Sequence, residues 1–422
     1  MSSVLPFEII ARIIDIVEEN KDTNLLKELA LVSQSFNQIC SKHLFATIDL
    51  YDAVPKCRTS KKEFVKLLKN RPDIVKYIRK LTYEVRGIGT YKGYDDDHLL
   101  SPTLPNYLRT ISRLKSLTIH GAKLDWNTLD SSLTSALLYL IQLPTINHID
   151  LSFSIQNFPL SSLTPSVNLL RLDISYLRRS SPRREDLSQI VVQSEMMPKI
   201  CEFRTSESTV LTTKLLHAKK QDGRPAFNFV DLRILSIYLV RLEDKRNLRH
   251  LFQNARSLEK LHLSVELGQN LVGLHDVLSP SARTLKVIDF TIPLYDEIFA
   301  GVPLLPLAGL CSQLEAMAGH NILESLSFEV NVDGHWTEEL LGIMIQNVEN
   351  ALVKPGWSTL RQVSFKISIT RDCVACDSES RDSAKLSEAL QYLPDKYLSH
   401  LSKLESVALN FSVSVAKCVF EH

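Results

Sequence analysis

The chain has 422 residues, of which 44% are hydrophobic and 23% charged, the balance of a globular chain and not of a disordered one. Lys and Arg number 49 against 48 Asp and Glu, a formal net charge of +1, so the overall charge points to no nucleic-acid partner. No apolar run approaches the roughly 20 residues that span a bilayer, and Glu8, Arg12 and Asp15 interrupt the opening stretch where a signal peptide needs an unbroken apolar region.

Leu5 and Pro6 open the first periodic run, and proline suits a first helical turn because its missing N–H has no partner there anyway. At 100° per residue, Ile9, Ile10, Ile13, Ile14, Ile16 and Val17 share one broad arc, opposite Glu8, Arg12, Asp15 and Glu19. That arc is wider than the stripe an amphipathic helix needs to reach its own core. A second short helix, from Asn24, stacks Leu25, Leu26, Leu29 and Val32, and a third carries Phe36, Ile39, Cys40, Leu44 and Phe45. Three helices of this size make a marginal fold alone, so the surplus apolar arc predicts a partner site.

The pattern Leu5-Pro6-x-Glu8-Ile9-Ile10-x-x-Ile13, then Leu25, Leu29, Val32-Ser33, Phe36 and Ile39, then Leu44-Phe45, resembles the F-box over residues 3–48. The resemblance implies a helical module that docks on the Skp-family adaptor of an SCF-type cullin-RING ubiquitin ligase. The matching adaptor-binding positions are Leu5, Pro6, Ile9, Ile13, Val32 and Phe36. Two features depart from the family: Phe36 stands where a Trp is usual, and "EENKDTN" lengthens the joint between the first two helices. The competing reading makes these helices a cap on the domain that follows.

After a connecting segment, 49–77, a short phrase returns through the rest of the chain, residues 78–422. It is written "IRKLTYEV" from Ile78, "LKSLTIHG" from Leu114, "INHIDLSF" from Ile146 and "LLRLDISY" from Leu169. It continues as "ICEFRTSE" from Ile200, "LRILSIYL" from Leu232, "LEKLHLSV" from Leu258, "LKVIDFTI" from Leu285, "LESLSFEV" from Leu323, "LRQVSFKI" from Leu360 and "LESVALNF" from Leu404. The copy at Ile200 is the poorest, because Thr205 fills its last apolar slot. Starts lie about 33 residues apart on average, with helical stretches at 129–143, 244–255, 306–319 and 337–353 between them. One such unit cannot bury its own strand face, whereas a stack shares a continuous core. The predicted class is α/β: a three-helix N-terminal domain, then an irregular leucine-rich-repeat solenoid with parallel strands on the concave side and helices on the convex side. The repeats resemble those of fungal F-box proteins, although the asparagine that commonly closes a regular repeat is missing.

Because side chains alternate along a strand, Leu117 and Ile119 are expected to point inward, with Thr118 and His120 outward. The outward set includes Glu84, Asp150, Asp173, Arg204, Ser236, Tyr238, His262, Asp289, Ser327, Glu329, Ser364, Lys366 and Asn410. Tyr238, His262 and Asp289 stand out from its Ser/Thr background and are the candidate target-binding residues.

Three patterns suggest chemistry and fall short of it. Gly87-x-Gly89-x-x-x-Gly93 misplaces the third glycine of a dinucleotide fingerprint, and the acids of "YDDDHLLSP" that follow would repel a pyrophosphate. Cys373 and Cys376 have metal-ligand spacing but no second ligand pair. His262 and Asp289 have no nucleophile or oxyanion donor to complete a catalytic set. No cofactor and no metal is expected, and the chain is read as a non-enzyme. The basic cluster "LRRSSPRRED" at 177–186 reads as a solvated loop, with a nuclear-import patch or phosphorylation site as the alternative, and the polar stretch 372–385 as an exposed insertion.

The seven cysteines, Cys40, Cys57, Cys201, Cys311, Cys373, Cys376 and Cys418, are an odd, scattered set typical of reduced thiols in the cytoplasm or nucleus. The resemblance to F-box and leucine-rich-repeat proteins implies a substrate-recognition subunit that joins the ligase adaptor to an unknown target protein, and no nucleic acid and no membrane is expected as partner. The alternative is a leucine-rich-repeat scaffold whose N-terminal helices only cap the solenoid or bind another partner.

Overall fold

The computed structural model describes residues 6–51, 59–86, 103–122, 124–152, 155–175, 191–192, 197–206, 209–239, 242–265, 273–294, 308–333, 338–370 and 388–416. The chain divides into two compact units, 1–199 with 217–228, and 200–216 with 229–422. No helix among the described residues is long and apolar enough to cross a membrane.

The first unit opens with α1 (Phe7–Glu19), α2 (Thr23–Ala30) and α3 (Gln34–Leu44). Each start has a local cause. The Pro6 carbonyl accepts from the N–H groups of Ile9 and Ile10. Asp22 caps α2 by accepting from the Leu25 N–H at 2.9 Å, and Ser33 caps α3 by accepting from the Phe36 N–H at 3.3 Å. The lengthened joint between α1 and α2 closes through Lys21, which takes a left-handed conformation at φ 56°, and the N–H of Lys21 and of Asp22 return to Glu18 and Val17.

Six parallel strands follow in this unit: β1 (Thr47–Tyr51), β2 (Thr59–Ser60), β3 (Lys80–Arg86), β4 (Ser116–Ala122), β5 (His148–Ser152) and β6 (Arg171–Ser175). Their order is β2-β1-β3-β4-β5-β6. β1 and the helix α4 (Lys61–Asn70), which starts with a capping box between Ser60 and Glu63, occupy the span read from sequence as a connecting segment. β1 offers only Ile48 and Leu50 as buried apolar positions, too little pattern to match the repeated phrase. A separate parallel pair joins β7 (Val191–Val192) to β9 (Lys219–Lys220).

The second unit is parallel throughout its main sheet, in the order β8 (Glu202–Ser206), β10 (Ile234–Leu239), β11 (Lys260–Val265), β12 (Val287–Leu294), β13 (Ser325–Asp333), β14 (Gln362–Thr370) and β15 (Ala408–Ala416). Every copy of the repeated phrase thus carries one strand. The expected helical stretches form at Ser131–Ile141, Leu242–Asn254, Ala308–Met317 and Glu338–Leu352.

Strand alternation sorts the side chains as their spacing requires. In the first unit Leu81, Leu117, Ile149 and Leu172 share one register row and are all buried. In the second, Leu263, Phe290, Phe328 and Phe365 share a buried row. The rings of Phe290 and Phe328 stack at 5.4 Å between centroids and those of Phe328 and Phe365 at 5.0 Å. Thr205, the misfit of the weakest copy, is buried, and its hydroxyl bonds that of Thr212 at 2.8 Å, so the polar atom is satisfied.

Successive strands are also joined before they begin. The N–H groups of Lys115 and Ser116 both donate to the Arg79 carbonyl, and those of Asn147 and His148 to that of Lys115. In place of a closing asparagine, hydroxyls reach back to carbonyls of the preceding turn: Ser166 to Ile141 at 2.7 Å, Ser281 to Ala255 at 3.1 Å and Thr359 to Leu323 at 2.9 Å. Near the end of the second unit the buried Glu349 carboxylate accepts from the N–H groups of His400 and Leu401 at 2.8 and 3.0 Å. That bond ties the segment before β15 to the helix Glu338–Leu352. Gly342 of the same helix lets the Tyr397 ring close in, since a Cβ there would lie 2.3 Å from the ring.

Removing the middle ring of the aromatic row leaves a cavity between two layers. Phe328→Ala is expected to destabilise the second unit by about 3–5 kcal/mol, read as a lower denaturant midpoint in equilibrium unfolding.

Candidate binding surfaces

The broad apolar arc of α1 resolves into two stripes, each at i, i+4, i+7 spacing. Ile10, Ile14 and Val17 turn inward, where Ile10 and Ile14 join Leu26, Ile39 and Cys40 in a small core edged by Leu29, Phe36 and Leu44. Ile9, Ile13 and Ile16 face outward and are exposed, as are Phe7, Leu25, Leu31 and Val32. Leu31 is 86% exposed and Val32 65% exposed. One α1 stripe builds the module; the other has no cover among the described residues. Covering each such side chain is worth roughly 1.5–3 kcal/mol, which makes this aliphatic surface the strongest candidate docking site in the first unit.

Of the positions read from sequence, Pro6, Ile9, Ile13 and Val32 lie on this exposed surface. Phe36 is half-buried against the module's own core. Leu5 lies outside the described residues. Phe7, Ile16, Leu25 and Leu31 add to the surface without having been picked as site residues. Leu31 follows the end of α2, where a helical wheel no longer applies. Burial raises the Cys40 thiol above its ordinary value, so Cys40 is a packing group and not a reactive one.

The second surface is the polar side of the strands. In the first unit it carries a charged cluster: Asp173 on β6 accepts from Arg171 Nη2 at 2.9 Å and meets His148 Nε2 at 3.2 Å, while His148 Nδ1 lies 2.9 Å from Ser116 Oγ. His120 bonds Ser152 in the adjacent row. Burial pushes the Asp173 carboxyl up, but the bonds from His148 and Arg171 outweigh it and leave its pKa below the ordinary value. Asp150, beside Asp173 in register, is shifted the other way, first by burial and then by its neighbour's charge.

In the second unit the same chemistry recurs. Asp289 on β12 meets His262 Nδ1 at 2.9 Å and Lys260 Nζ at 3.2 Å. Here too burial raises the carboxyl while the bonds from His262 and Lys260 win, and the pKa falls below the ordinary value. Tyr238 is half-buried on β10, in register with Ser264 of β11, whose neighbour two residues earlier is His262. The three residues picked from sequence therefore share one sheet side, with His262 and Asp289 in contact. Beyond them, Lys366 Nζ bonds Glu329 Oε1 at 2.6 Å across β14 and β13.

The His262–Asp289 pair lies on a sheet face and shares its carboxylate with Lys260, an arrangement that orients the imidazole. Among the described residues no group of three or more His, Cys, Asp or Glu is placed to hold a metal ion. Gly87, Gly89, Gly93, Cys373, Cys376, the basic cluster at 177–186 and the polar stretch 372–385 lie outside the described residues. No family model matches the chain, and no curated protein matches it.

The two carboxylates give opposite stability signatures. A lowered pKa, as at Asp289, contributes stability that is present above the unfolded-state pKa and lost as pH falls through the folded-state value. A raised pKa, as at Asp150, contributes stability only in acid and loses it as pH rises through the folded-state value. At neutral pH, Asp150→Asn should raise the melting temperature and Asp289→Asn should lower it. For Asp150→Asn the gain should shrink toward zero in acid below both carboxyl titrations, as scanning calorimetry across pH would show.

Proposed function

We propose that this chain is a non-catalytic substrate receptor of an SCF-type cullin-RING ubiquitin ligase. In this reading residues 3–48 act as an F-box-like module on a Skp-family adaptor. Residues 78–422 act as a leucine-rich-repeat solenoid, strands concave and helices convex, that holds a target protein. The observation that carries it is the uncovered aliphatic surface of Ile9, Ile13, Ile16, Leu31 and Val32 on a three-helix module that already has its own core. A module that only capped the following strands would have that stripe covered by them, so its exposure favours docking over capping.

Such a receptor works by position. Holding a target lysine near a bound ubiquitin-conjugating enzyme makes transfer effectively intramolecular, and the stacked strands supply the stiffness that this requires. The activity would be exercised in the cytoplasm or nucleus, consistent with the scattered odd cysteines.

Charges at exposed positions test the adaptor half. Ile9→Asp with Ile13→Asp should abolish co-purification of the Skp-family adaptor while the melting transition of the chain is kept. Failure of the wild-type chain to bind the adaptor, or retention of the adaptor by the double variant, would overturn the reading.

The target half rests on Tyr238, His262 and Asp289. Replacing all three by Ala should abolish target capture with adaptor binding intact, with the Tyr238 truncation alone costing about 2 kcal/mol if it lies at a desolvated centre. Proteins that accumulate when the chain is removed from cells, and that bind the wild type in pull-downs, supply the target for that measurement.

A further inference from the structure

Among the described residues β15 is the terminal strand of the second unit's sheet and pairs with β14 alone, in parallel, from Gln362↔Ala408 to Thr370↔Ala416. The Ala408 N–H donates to the Arg361 carbonyl at 2.7 Å, which sets the alternation along the strand. Even-numbered residues turn their N–H and C=O toward β14. Leu409, Phe411, Val413 and Val415 turn theirs to the open edge.

Edges of this length are usually blunted by charge, proline or a bulge. β15 reads ALNFSVSVA, with no charge and no proline, and its register with β14 runs unbroken. β2, at the edge of the first unit's sheet, is only two residues long and runs into Lys61 and Lys62. The apolar side of β15 is also thinly covered. Leu409, Phe411 and Val413 are only half-buried, whereas their register partners Val363, Phe365 and Ile367 on β14 are buried.

We infer that this edge pairs antiparallel with the same edge of a second copy of the chain, about a two-fold axis at Ser412. The strand is self-complementary there. Phe411 falls opposite Val413 and Leu409 opposite Val415, so each open N–H of those residues meets a C=O of the partner and each open C=O meets an N–H. Ser412 faces Ser412 and Asn410 faces Ser414, so at these positions no like charges meet and no bulky group is opposed on the polar side. The axis runs through the sheet, which puts the apolar sides of both copies together and lets Phe411 of one cover Val413 of the other. An isologous contact of this kind closes on itself as a dimer.

The test is the mass of the full 422-residue chain in solution, by sedimentation velocity over a concentration series. The wild type should show a concentration-dependent dimer. Ser412→Lys and Ser412→Glu each place like charges face to face across the axis and should weaken the dimer several-fold. Ser412 is exposed, so both variants should melt as the wild type does. An equimolar mixture of the two should regain the dimer, because Lys then faces Glu. A wild type that stays monomeric at every concentration overturns the inference. So do variants that dimerise as well as the wild type, or a mixture that stays monomeric although both variants are folded.

Discussion

A parallel strand cannot cover its own apolar side chains, and the inner strands of both units take that cover from neighbours held in the same register. In the second unit the requirement is met by a row of large apolar residues: Leu263, Phe290, Phe328 and Phe365 follow one another from strand to strand, three of them aromatic and stacked. The first unit meets it with Leu81, Leu117, Ile149 and Leu172. Connections may differ in length between repeats because the paired registers, and the paired N–H bonds just before each strand, keep the rows aligned. Even the one polar intruder, Thr205, is tolerated because Thr212 supplies its hydrogen bond.

The alternation that buries one side of each strand fixes what the other side displays. Charges there are neutralised by close neighbours, Asp173 by Arg171 on its own strand and His148 on the next, Asp289 by Lys260 and His262 one strand away. Such carboxylates, Asp173 buried and Asp289 half-buried, keep their charge because their partners outweigh the loss of water. Asp150, for which burial and the Asp173 charge prevail over its basic neighbours, shows the opposite balance. The polar side is therefore a surface of oriented, partly desolvated groups held by the strands.

The N-terminal module and the β15 edge share one physical feature, apolar side chains in excess of the cover the described chain provides. On α1 the excess is a second stripe of isoleucines beside the one used for folding. On β15, the last strand of that sheet among the described residues, Leu409, Phe411 and Val413 are only half-buried. The chemistry differs, aliphatic side chains on helices in one and a backbone edge in the other.

Periodicity in the sequence was enough to place a strand in every repeated phrase, the long helices between them and the inward or outward sense of residues such as Leu117 and Thr118, because a period of two is a local property of the chain. It was also enough to find the surplus on α1 and to place His262 beside Asp289, since one repeat of offset becomes one strand of separation. Tertiary packing decided the rest. Which isoleucines of α1 are consumed by the module's core depends on where Leu26 and Ile39 dock, so Phe36 turned inward and Leu31, beyond the reach of a helical wheel, turned out. β1 was missed because five residues with two buried apolar positions carry too weak a pattern on their own, and only pairing with β3 makes them a strand. The protonation balance of Asp150 and Asp173 likewise exists only once β5 and β6 bring them side by side.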